Sequence, residues 1–111
     1  MAGAQPTFHL DWFEFIPTTP MHALLRVRGR WEGDPASSHP APHLLADRGG
    51  RTHRFAPLDP AEAVIAPLPD REPWRAAFAV PVDVVDDPAA EFTLEAADGL
   101  RITLPAPTSR A

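Results

Sequence analysis

His22-Ala23-Leu24-Leu25-Arg26-Val27-Arg28-Gly29-Arg30-Trp31 is the stretch on which the reading of this chain turns. Ala23, Leu25, Val27, Gly29 and Trp31 fall on one side of an extended chain, and Arg26, Arg28 and Arg30 fall on the other. A helix would scatter both sets around its circumference, whereas a strand separates them cleanly, so the stretch predicts a strand. Trp74-Arg75-Ala76-Ala77-Phe78-Ala79-Val80 repeats the pattern, with Trp74, Ala76, Phe78 and Val80 facing inward. Each strand has one dry and one wet face. That is the signature of antiparallel sheets; a parallel sheet is covered on both sides.

Two hairpins extend the pattern. Near the C-terminus, a two-residue Asp98-Gly99 loop would set Leu94 against Thr103 and Glu95 against Ile102. A three-residue loop, Ala97-Asp98-Gly99, instead pairs Phe92 with Leu104, Leu94 with Ile102 and Ala96 with Leu100. It also puts Glu95 opposite Arg101 and Thr93 opposite Thr103 on the outer face. A slip of one residue turns apolar side chains to the wrong face, so the longer loop is predicted, with Gly99 in the left-handed conformation. The second hairpin joins His43–Arg48 to Arg51–Ala56 through Gly49-Gly50. Leu44 then faces Phe55 and Ala46 faces His53, while Leu45 and Arg54 take the opposite face.

Dense punctuation separates these segments. The 111 residues include 15 prolines, and turn signals recur from Pro17–Pro20 to Asp98–Gly99, leaving little room for ordinary helices. Asp59-Pro60-Ala61-Glu62 offers an N-cap, a first-turn Pro and a Glu for one helical turn, and Asp87-Pro88 could start another. The expected organisation is a flexible lead at 1–7, one domain at 8–105 and a flexible tail or linker stub at 106–111. The fold class is all-β: two antiparallel sheets forming a sandwich of seven or eight short strands. In strand number and spacing, residues 8–105 resemble a bacterial immunoglobulin-like or fibronectin-type-III-like domain. The chain lacks the Cys pair and the corner Tyr of immunoglobulin domains. The resemblance therefore implies an architecture and a bias towards binding, and no family site residue carries over.

Phe8 to Ile16 departs from simple alternation. Phe8, Leu10 and Trp12 share one parity, and Phe13 and Phe15 share the other. Either a bulge carries the strand from one sheet to the other, or both faces are apolar and Phe13 and Phe15 meet a partner.

The composition excludes several functions. There is no cysteine, which removes disulfides, thiolate metal sites and thiol nucleophiles, and no cofactor is expected. Net charge is −5, which argues against nucleic-acid binding. No apolar run approaches a membrane span and Met1–Thr7 is unlike a signal peptide, so a cytoplasmic location is expected. Lys, Asn and Tyr, whose codons are AT-rich, are all absent, which points to a GC-rich bacterial genome. Arg here is therefore not a choice over Lys.

Ser37, Ser38 and Ser109 lie in loop or tail positions without a nucleophile elbow, so no catalytic residue is assigned. His39, His43 and His53 are a metal-site alternative whose convergence depends on the intervening prolines. Asp83, Asp86 and Asp87 lack the ligand spacing of a calcium loop and suit turns and caps. Trp12, Trp31 and Trp74 fit inward-facing core positions better than a sugar-stacking platform. Arg75, Ala77 and Ala79 make a small outer face suited to close approach.

Arg26, Arg28 and Arg30 form the main binding candidate. They are spaced about 6.8 Å apart on one face and suited to an acidic ligand unless cross-strand carboxylates such as Glu14 or Glu95 pair with them. The expected function is a non-catalytic protein-interaction or adaptor module acting on another protein or a second copy, through the first strand and the Arg row. A carbohydrate-binding module and a small metal-dependent enzyme are the alternatives.

Overall fold

The computed structural model describes residues 7–32, 40–65, 73–96 and 99–109. The strands in chain order are β1 (Thr7–Pro17), β2 (His22–Glu32), β3 (His43–Arg48), β4 (Arg51–Phe55), β5 (Trp74–Pro81), β6 (Glu91–Glu95), β7 (Arg101–Leu104) and β8 (Thr108–Ser109). One short helix, α1 (Val82–Val85), links β5 to β6. One sheet has the order β5-β2-β1-β8 and the other β4-β3-β6-β7. All pairings are antiparallel except β1 with β8. The two-layer all-β fold expected from the alternating segments is the observed one.

β2 shows why the fold forms. Ala23, Leu25, Val27, Gly29 and Trp31 are all buried, and the intervening residues are half-buried or exposed. β5 does the same with Trp74, Ala76, Phe78 and Val80. From the other sheet come Leu44, Ala46, Phe92, Leu94 and Leu104. The most deeply buried large side chains are Phe78, Leu25, Leu44, Ile65 and Leu94, so both layers and the β4–β5 connection fill one core. Burying each such side chain is worth roughly 1.5–3 kcal/mol.

The hairpin registers match the parity argument. Phe92 pairs with Leu104, Thr93 with Thr103, Leu94 with Ile102 and Glu95 with Arg101. The Ala96 N–H donates to the Leu100 carbonyl at 2.8 Å, and Gly99 has φ +86°. Leu44 pairs with Phe55 and Ala46 with His53. Gly49 and Gly50 both have positive φ, as a two-residue turn of that hand requires.

β1 resolves its broken alternation differently from expectation. Leu10 pairs with Gly29 and Trp12 with Arg28, leaving Asp11 as the extra, bulged residue. The strand stays in one sheet. The bulge reverses its parity, so Phe8, Leu10, Phe13 and Phe15 all face the core and Trp12 turns outward with Glu14 and Ile16. Trp12 is therefore not a core residue, while Trp31 and Trp74 are.

Two further segments differ from expectation. Thr108 and Ser109, expected in a frayed tail, run parallel to Glu14 and Phe15, and the Thr108 hydroxyl donates to the Phe13 carbonyl at 3.3 Å. Helix α1 begins at Val82, ahead of the predicted turn. It is held by its first N–H to the Met21 carbonyl and by burial of Val84. The turn at Asp87 also forms, with its carboxylate accepting from the Ala89 N–H at 2.9 Å. Asp59 likewise caps its own turn, accepting from the Glu62 N–H at 3.2 Å.

Candidate interaction face

The arginines of β2 stand on the outer face of the β5-β2-β1 sheet because the inward positions are all apolar or Gly. Register across the three strands arranges this face in rows. Ile16, Leu24 and Ala79 form an apolar row; Glu14, Arg26 and Ala77 form the next; Trp12, Arg28 and Arg75 form the third. Arg30 lies one step further, opposite His9. Four of the ten basic side chains thus share one face of a chain whose net charge is −5.

Carboxylates neutralise part of this row. Arg26 lies 3.5 Å from Glu14, with its guanidinium carbon 5.3 Å from the centre of the Trp12 ring. Arg28 Nε is 3.7 Å from an Asp11 oxygen, too long for a hydrogen bond, and that buried Nε has no other partner among the described residues. The bulge that reverses β1 also delivers Asp11 to Arg28. Glu32 is engaged by His9 at 3.2 Å. Among the described residues, no carboxylate pairs with Arg30 or Arg75. Arg75 is directly opposite Arg28, a like-charge pairing that costs energy in a sheet.

Beside this row the β4–β5 connection creates relief. Leu58 N–H donates to the Ala77 carbonyl at 2.8 Å, which pins the connection along the edge of β5. Between it and the sheet lies a cleft of about 170 Å³, lined by Trp12, Arg26, Arg75 and Ala77 on one side and Leu58, Asp59 and Glu62 on the other. Leu58 is 59% exposed.

The remaining candidates separate. Phe13, 3% exposed, is a core residue in edge-to-face contact with Phe92, and Phe15 packs beside it. Neither forms an exposed surface, because the bulge turned their parity inward. Inside the sandwich Trp74 meets Trp31 and Phe8 edge-to-face, Phe8 lies tilted against Trp31, and Trp74 Nε1 donates to the Ala63 carbonyl at 2.9 Å. Of the three indoles only Trp12 is on the outside. His43 faces outward from its sheet while His53 pairs with Ala46 on the inward face, so the two cannot converge; His39 lies outside the described residues. No group of three potential metal ligands occurs among the described residues. Ser37 and Ser38 also lie outside them.

Asp83 and Asp87 meet Arg48 at 3.6 and 2.9 Å. The Ala89 N–H and the Arg48 guanidinium hold the Asp87 carboxyl below its ordinary range, and the hydrogen bond to Asp87 raises Arg48. On the other sheet, Glu95 accepts from Arg54 at 2.6 Å and Arg101 at 3.1 Å, so it is spent there and not on the Arg row. Leu45, outward on the same sheet, is only 6% exposed.

Arg75, Leu58 and Trp12 are members of this face that sequence reading did not join to the Arg row. Their approach depends on how β1, β5 and the β4–β5 connection lie beside β2, which no local pattern encodes. Comparisons with protein-family models, curated proteins and solved structures found no match. No helix among the described residues is long and apolar enough to cross a membrane.

Proposed function

We propose that this chain is a non-catalytic protein-interaction module that docks an acidic partner on the outer face of its β5-β2-β1 sheet. The observation that carries the reading is the pairing of Arg28 with Arg75 across neighbouring strands, with Arg30 beside them, on an otherwise acidic molecule. Among the described residues Arg30 and Arg75 have no carboxylate, and Arg28 has only Asp11 at 3.7 Å. Cations so placed lower the stability of the free sheet and gain most when an anionic surface arrives. An isologous dimer through this face is the weaker option, since its two-fold axis would bring the same cations towards each other.

The finer architectural reading is an immunoglobulin-like sandwich. In the constant-type arrangement four strands, ABED, face three, CFG. Here β4 pairs with β3 in place of extending the sheet beside β5, a one-strand exchange within the same plan. The cysteine-free, Lys-free composition supports a bacterial, cytoplasmic setting.

The test uses poly-L-glutamate as the anionic probe on the full chain. Binding is expected in 50 mM salt, to weaken steeply by 500 mM, and to fall at least tenfold in Arg28→Glu/Arg30→Glu with the circular-dichroism spectrum unchanged. A folded protein that ignores the probe, or a double variant that binds it as well as the parent, overturns the reading.

A further inference from the structure

We propose that the cleft beside Trp12 seats one apolar side chain of an extended acidic segment of a partner protein, with the segment's carboxylates on Arg28, Arg30 and Arg75. This inference rests on the docking reading above and adds what selects the partner. Three observations lead to it.

The cleft lining mixes charged residues with apolar ones. Leu58, more than half exposed, lines it together with Trp12, and Ala77 between them is small. Arg26 lies over the Trp12 ring and so limits the access of a second cation to it. The volume, about 170 Å³, also fits a single anchor: an apolar cavity of about 150 Å³ holds a benzene-sized group. That is the size of one leucine or phenylalanine side chain.

The charges give the segment a direction. Asp59 and Glu62 line the far wall of the cleft and repel acidic residues there. Arg28 and Arg75 lie one row along the sheet, and Arg30 one step beyond. A chain anchored in the cleft therefore places its acidic residues over β2 and away from the connection. Arg28 and Arg30 are alternate residues of a strand, about 6.8 Å apart along it. An extended segment with carboxylates at alternate positions has the same repeat, and guanidinium–carboxylate pairs have the geometry for two hydrogen bonds each. The occupant is thus an apolar anchor followed by alternating Glu or Asp. A buried anchor in a pocket ringed by charged contacts is the usual distribution of energy at an interface.

The experiment is selection from a display library of random ten-residue peptides on the immobilised full chain. The expected consensus carries one fixed Leu, Ile, Phe or Met next to acidic residues at alternate positions. Replacing that anchor by Ala in the synthetic consensus peptide should weaken binding at least tenfold. Leu58→Ser, a neutral change at an exposed position, should weaken the anchored peptide to the same degree and leave the Ala-anchor peptide unaffected; Arg28→Glu/Arg30→Glu should weaken both. An acidic consensus without a fixed apolar position, or an anchored peptide indifferent to Leu58→Ser, overturns the cleft and leaves the docking face standing. A neutral or basic consensus, or no selection by a folded protein, overturns both.

Discussion

Gly29 makes the sharpest demand of any single residue. It sits inward on β2, and the Phe8 ring lies over it from the neighbouring strand. A Cβ there would overlap the ring and stand 2.5 Å from the His9 carbonyl oxygen. Ring and backbone would both have to move, so Gly29→Ala should cost at least about 1–3 kcal/mol, the usual range for overpacking. Urea denaturation measures it, and an unchanged midpoint would mean that Phe8 is elsewhere. The bulge at Asp11 makes a second prediction about single residues. Phe13→Ala removes a core ring and should cost about 3–5 kcal/mol, whereas Trp12→Ala loses an outer-face contact with Arg26 worth about 0.5–1 kcal/mol. The opposite ranking would put the bulge in another place.

Among the elements, the α1 turn and the end of β3 are joined by charge. Asp87 is depressed because it accepts from the Ala89 N–H and from Arg48. A depressed carboxyl stabilises the folded state fully above the ordinary aspartate range, about pH 4, and that contribution disappears as pH falls through the lowered value. Asp87→Asn should therefore melt below the parent at pH 7, and the gap should close as the buffer is acidified through the lowered Asp87 value. A gap that persists in acid would trace to the altered turn and not to the charge. The adjoining Arg48 is partly exposed and screened by solvent, so the effect at neutral pH is modest.

At the scale of the whole molecule, one core joins both sheets. Ile65 and Ala63 from the β4–β5 connection are buried among side chains of both layers. Neither sheet keeps a dry face without the other, so unfolding should be a single transition. Tryptophan fluorescence, dominated by the buried Trp31 and Trp74, and far-ultraviolet dichroism should give coincident urea curves. Separate midpoints would show that the sheets melt independently.

Much of this fold was written locally. Period-two alternation in His22–Trp31 and Trp74–Val80 commits those residues to strands, because no other backbone puts all the apolar groups on one side. The two hairpin registers follow from the same parity, which a one-residue slip destroys. Those features needed only neighbours in sequence. The Phe8–Ile16 segment did not have that property: its composition allows more than one place for the extra residue, and pairing with Gly29 and Arg28 on β2 chose Asp11. That choice moved Trp12 outward, took Phe13 and Phe15 inward and supplied Arg28 with a carboxylate. The opposition of Arg28 to Arg75 and the cleft under Leu58 are likewise contacts between segments distant in the chain. Side-chain alternation is a property of one strand, whereas a face is made by several, and only their packing decides which charges end up side by side.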